Sequence, residues 1–149
     1  MRYNAAVEKL AGKHPIVPEG DTLLLRVHGV FDVQDAMAYH ALAEEAYAQH
    51  GNYFGLIDIT HLTIINAEAR RWMADWTRTH YVSGCAVFGG SLLQRTVITL
   101  LARAIALIRS TPFQVVFFKT EEEARAWIAK ERMRQQSSQA AMPKSVAKL

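Results

Sequence analysis

Asp58 and His61 stand three residues apart at the end of an apolar run, and a carboxylate and an imidazole so spaced can serve as base and orienter. No nucleophile is placed beside them. An enzyme using Asp58 and His61 therefore ranks below two binding readings. The same neighbourhood suits recognition. Thr60, His61, Thr63, Asn66 and Glu68 offer hydroxyls, an imidazole, an amide and a carboxylate within one short stretch. Gly89, Gly90 and Ser91 precede a second helical pattern, where backbone N–H groups can hold an anion. Their spacing is neither a dinucleotide nor a P-loop fingerprint. These eight residues form the expected partner-contact edge.

Other reactive types point elsewhere. The six histidines lack the His-x-x-x-His spacing on a helix that suits zinc, and there is one cysteine. No metal and no cofactor is expected. Cys85 lies inside an apolar strand and reads as a small buried residue. Trp72, Trp76, Phe88 and Trp127, with Met73, read first as a filled core, because interiors are close-packed. The alternative is an apolar pocket between helices and sheet that takes a small ligand such as a fatty acid near Trp72, Trp76 and Leu101. Leu92 and Leu107 lie off the main apolar face of their helix and suit a self-association patch or a lid.

The elements that position these residues follow from periodicity. Residues 5–10 suit an edge strand or a helical turn. Pro15, Pro18 and Gly20 suggest a turn-rich connection. Thr22 to His28 reads as a strand closed by Gly29. Asp32 caps a helix with Asp35 in its first turn, running to His50 and Gly51. Phe54 to Ile59 is apolar on both faces, as a mid-sheet strand should be. The polar stretch after it reads as a loop, Thr60–Ile65, and Asn66 caps a helix to His80. Gly84 to Phe88 is a strand. Ser91 and Gln94 form a capping box for a helix to Arg109, ended by Thr111-Pro112. Gln114 to Phe118 is the last strand. Thr120 and Glu123 cap the last helix, which frays after about Met133. Alternating strands and helices predict an α/β fold: one domain over residues 1–133, a mixed and mainly parallel sheet of about five strands, and about four helices.

Composition narrows the class. The chain has 149 residues, half of them hydrophobic, which suits one domain with a core. One cysteine and no apolar signal core after Met1 suggest a cytoplasmic protein. No stretch is long and apolar enough for an integral membrane segment. The net charge of +3 belongs to the C-terminal end. There Lys130, Arg132, Arg134, Lys144 and Lys148 outnumber Glu131, and the body is slightly acidic. No nucleic-acid partner is implied, and residues 134–149 read as a disordered basic tail.

Three stretches carry a resemblance: Leu56-Ile57-Asp58-Ile59-Thr60-His61-Leu62, Ala86-Val87-Phe88-Gly89-Gly90 with Arg95, and Phe117-Phe118-Lys119-Thr120-Glu121-Glu122-Glu123-Ala124-Arg125-Ala126-Trp127-Ile128. With the element order, they resemble the STAS domain of anti-sigma-factor antagonists and sulfate transporters over roughly residues 5–133, most nearly a divergent bacterial branch. The layout is also similar to CRAL-TRIO lipid-binding domains. The resemblance implies a non-enzymatic domain that binds a protein partner or a second copy of itself. In signalling members an Asp-Ser-Ser-Gly motif opens the second helix, and its second Ser is phosphorylated. Here that place reads Asn66-Ala67-Glu68-Ala69, so the phosphorylation switch is not carried over. Glu68 suits the helix macrodipole, and at that position it can also imitate a phosphoserine.

Overall fold

β-branched and alternating apolar runs become strands, and alanine-rich amphipathic segments fill the intervals as helices. The computed structural model describes residues 7–108 and 114–141. The expected helix stop at Thr111-Pro112, the side chain of Leu107, and Lys144 and Lys148 fall outside that description. The elements are β1 (Lys9–Ala11), β2 (His14–Glu19), β3 (Thr22–Phe31), α1 (Val33–His50), β4 (Phe54–Ile65), α2 (Ala67–Thr77), β5 (Gly84–Phe88), α3 (Leu92–Ile108), β6 (Val115–Phe118) and α4 (Glu121–Ala141).

The strands form one sheet in the order β1-β2-β3-β4-β5-β6. β1, β2 and β3 pair antiparallel, and β3 to β6 pair parallel. The mixed, mainly parallel α/β expectation holds, with six strands among the described residues rather than about five. The added strand is β2, expected as a turn because of Pro15 and Pro18. Burial of Ile16, fully inaccessible opposite Leu25, outweighs the two missing N–H donors.

β4 lies mid-sheet as expected, but it is twice as long. Thr60–Ile65 is strand, not loop. Its Thr and Ile residues favour extended backbone, and β3 continues past Gly29 to pair with it. Gly29, at φ 77°, does not close β3; it sits at a register shift. Ile59, Leu62 and Ile65 point inward and are buried.

α1 begins with a reciprocal Asp32–Asp35 capping box and ends at Gly51 in the left-handed region, φ 75°. α2 stops at Thr77, short of His80. α4 continues past Met133 to Ala141. There Arg134 pairs with Glu131, and Gln135 Nε2 donates to the Ser83 carbonyl at 2.8 Å.

The helices divide between the faces. α1, α2 and α3 cover one face, over Leu25, Val27, Ile59 and Val87. α4 covers the other, over Leu24, Phe54, Leu56, Ala86 and Phe88. A ladder of ion pairs straps α4 down. Arg26 reaches Asp58 and Glu121, each at 2.8 Å, and Arg125 reaches Glu121 at 2.9 Å and Glu19 at 2.6 Å. Arg132 reaches Asp21 at 2.6 Å.

Candidate functional site

β4 outruns β5. β5 stops at Phe88, opposite Asp58, so among the described residues the β4 edge beyond Thr60 has no strand beside it on that side. Gln94, in the first turn of α3, covers part of the gap. Its Nε2 donates to the Leu62 carbonyl at 2.7 Å and the Thr60 carbonyl at 3.3 Å. The same side chain closes the expected capping box with Ser91. Gly89 makes the approach possible: at φ 73°, a Cβ there would lie 2.2 Å from Thr60 Oγ1. Thr60, Gly89, Gly90 and Ser91 therefore meet at one rim. Gln94→Ala should lower stability by about 1 kcal/mol, read by urea denaturation, since it frees two carbonyls that water can reach.

His61 and Thr63 are exposed on the same ribbon. His61 stacks on His28 of β3, centroids 5.3 Å apart and planes 13° from parallel. The pair beyond is Val30 and Ile64, 40% and 44% exposed. Ile64 is expected in the contact edge as part of the loop Thr60–Ile65, but the sequence does not bring His28 and Val30 into it. The available signal was strand alternation, which puts His28 and Val30 on the face opposite the buried Val27 and Phe31.

Glu68 is exposed in the first turn of α2, as expected. Asn66 holds the N-cap position, but its side chain makes no cap bond, contrary to expectation, and Oδ1 is buried without a partner among the described residues. The base-and-orienter pair does not form. Asp58 Oδ1 accepts from the Thr60 amide and hydroxyl at 3.0 and 2.6 Å, and Oδ2 accepts from Arg26 at 2.8 Å. Burial alone would raise the Asp58 carboxyl, but the bonds from Thr60 and Arg26 outweigh it and hold it below the usual carboxylate range. A base so engaged is a poor proton acceptor, and His61 faces His28 instead.

On the opposite face of the sheet the core is not filled. A cavity of about 110 Å³ lies between α1, α2, α3 and the strands, with Tyr39, Tyr53, Ile57, Cys85, Leu101 and Ile105 in its lining. Leu101 borders it as expected; Trp72 and Trp76 do not. They pack on His40, with centroids 5.3 and 4.5 Å away, and Trp76 stacks on His80 at 4.1 Å and donates its Nε1–H to Glu44 at 3.0 Å. α3 roofs the cavity and leaves Leu92, Leu93 and Leu100 82%, 75% and 58% exposed. The chain has apolar residues to spare on this helix, and its buried stripe is too narrow to fill the space below.

A protein-family model described as SpoIIAA-like matches residues 22–129. No curated protein is similar enough in sequence to count as a match. Among solved structures, an uncharacterised protein from Shewanella loihica with a SpoIIAA-like fold is 22% identical; the match covers 85% of this chain and 98% of that one, with a TM-score of 0.51. The anti-sigma factor antagonist SpoIIAA in its unphosphorylated form is 15% identical, over 78% of this chain and 97% of its own, also with a TM-score of 0.51. At these identities the two structures speak to the fold alone.

Proposed function

The chain belongs to the SpoIIAA-like family, which bears out the STAS-like resemblance, and from that premise we propose that it is a non-enzymatic regulatory domain acting by binding a protein partner or a second copy of itself. The contact surface is the rim built from Thr60, His61, Thr63, Asn66 and Glu68 with Gly89, Gly90 and Ser91, widened by His28, Val30 and Ile64. The observation that carries the reading is the far end of the β3–β4 ribbon. It runs beyond β5, its edge is bridged by one glutamine, and two apolar side chains stand open beside stacked imidazoles. Exposed apolar residues in a polar border are what a partner surface offers. Among the described residues no helix is long and apolar enough to cross a membrane.

Thr63→Arg places a long charged side chain in the middle of that surface. Sedimentation velocity and crosslinked capture from cell extract should show the dimer or partner contact weakened about tenfold or more, with the unfolding midpoint unchanged. Gln49→Arg, at the far end of α1, is the control. Equal capture by wild type and Thr63→Arg would remove the rim from consideration.

A second reading rests on the cavity. Its apolar lining and the loosely seated α3 support a small apolar ligand bound between helices and sheet, which makes the domain a carrier or sensor.

A further inference from the structure

The cavity under α3 has one polar end, and glycine makes it. A Cβ on Gly55 of β4 would stand 3.1 Å from the Tyr39 hydroxyl, 3.2 Å from Cys85 Sγ and 3.3 Å from the Tyr53 hydroxyl. Three polar atoms from α1, β5 and the residue just before β4 thus gather over one bare backbone position, and all three residues line the cavity. The two tyrosine hydroxyls hydrogen-bond to each other. Each carries a single hydrogen, so one O–H is used within the pair, while the other and the Cys85 S–H have no acceptor among the described bonds. Buried donors are seldom left that way.

The remaining polar side chains of the lining are engaged. His40 Nδ1 is bonded to the Ala36 carbonyl at 2.7 Å, and the Thr77 hydroxyl donates to the Ala74 carbonyl at 2.8 Å. Among the described residues no Asp, Glu, Lys or Arg lines the cavity. Burial pushes the Cys85 thiol up to about 12 and drives the tyrosines upward as well, so the polar end carries no charge near neutrality. Among the described residues His40 is the one other titratable group at the wall; burial lowers it to about 4, so it is neutral as well.

We propose that the cavity takes an uncharged apolar molecule bearing a single oxygen acceptor, an alcohol or ketone, with that oxygen against the Tyr39–Tyr53–Cys85 cluster and its hydrocarbon beneath α3. The inference rests on the apolar-ligand reading above and adds the chemistry of the head group. A carboxylate is disfavoured on physical grounds, because among the described residues no cation at that end compensates for taking its charge out of water. A cavity of about 150 Å³ holds benzene, so this one as it stands suits about four to five heavy atoms, and a six-carbon chain fills it and presses on the partly buried Ile98 and Leu101 of α3.

Hexanol and sodium hexanoate are the probes, titrated into the full chain at about pH 7.5 and followed by calorimetry and by methyl NMR at Leu101, Ile105 and Met73. Hexanol is expected to bind and to shift those methyls, with hexanoate about tenfold weaker or more. The gap should narrow near pH 5, where hexanoate begins to protonate. Tyr53→Phe should weaken hexanol about three- to tenfold and leave hexanoate nearly unchanged. Should that variant fold poorly, Cys85→Ala reads the same cluster. Leu101→Trp, which fills the cavity, should abolish binding of both while the unfolding midpoint holds. If neither probe binds wild-type protein, the ligand reading falls and this inference with it. If hexanoate binds as tightly as hexanol at about pH 7.5, the head-group inference alone is overturned.

Discussion

Asp35→Ala is expected to cost about 3–5 kcal/mol of folding stability, because it removes a buried carboxylate and leaves the donors that meet it, the buried His14 among them, unpaired. Asp35 is 2% exposed. It accepts from the Asp32 amide at 3.0 Å, the Lys13 amide at 3.2 Å and His14 Nε2 at 3.1 Å, and it pairs with the Lys13 ammonium. His14 is wholly inaccessible, and its Nδ1 accepts from the His28 amide at 3.1 Å, so Nε2 carries the proton that meets Asp35. Gly12 completes the fit: at φ 64°, a Cβ there would lie 2.1 Å from Asp35 Oδ1. The β1–β2 hairpin, which lies outside the matched residues of the family model, is thus clipped to the first turn of α1 and to β3. Urea denaturation of wild type and variant checks the magnitude. Its dependence on pH checks the cause. Burial by itself would raise the Asp35 carboxyl, but the bonds from Asp32, Lys13 and His14 outweigh it and hold it well below the usual range. A carboxylate depressed on folding stabilises fully above its unfolded pKa of about 3.9, and that contribution drains away as pH falls further toward the folded value. Wild-type stability should therefore fall more steeply below about pH 4 than that of Asp35→Ala. Parallel acid limbs would show that the carboxylate's charge is not what holds the hairpin.

This latch also marks where reading the chain stops working. Asp32 and Asp35 are legible as a cap because capping is a local interaction, and β5 and Gly51 are legible for the same reason. His14 and Asp35 are separated by a hairpin and a strand, and nothing in either one's neighbours announces the other. Pro15 and Pro18 mislead in the same way: their local preference for a turn is real, and a long-range pairing with β3 overrides it. Thr60–Ile65 was the reverse case. The polar side chains suggest a loop, but the β-branched residues favour a strand, and the hydroxyls and the imidazole simply face solvent from an extended backbone. The rim survives that change, because Gly89 and Gln94 bring the next turn against Thr60 whether the segment is loop or strand. The cavity is legible only as the alternative to a filled core. Residue types along α3 and β4 show what is apolar, but not whether the side chains that meet fill the space between them.

The two faces of the sheet should consequently answer truncation differently. Phe54→Ala is expected to cost about 3–5 kcal/mol, and Leu101→Ala about 1 kcal/mol. Phe54 is fully inaccessible, packed with Leu56, Ala124 and Ile128, with the Arg132 guanidinium 5.5 Å from its ring centroid. Trp127 closes against it because Gly84 has no side chain; a Cβ there would lie 2.9 Å from the indole. Removing the Phe54 ring opens a void that strands and an ion-paired helix cannot collapse to fill. Leu101 already borders a cavity and is only partly buried, so its truncation enlarges a space that exists and breaks fewer contacts. The comparison bears on function. A domain that admits a ligand must yield on one side and hold its strand register on the other, and on the cavity side α3 is the helix that leaves three leucines exposed. Urea denaturation of both variants decides it. If Leu101→Ala proves as costly as Phe54→Ala, α3 is part of a filled core in solution, and neither a ligand beneath it nor its movement can explain what the domain does.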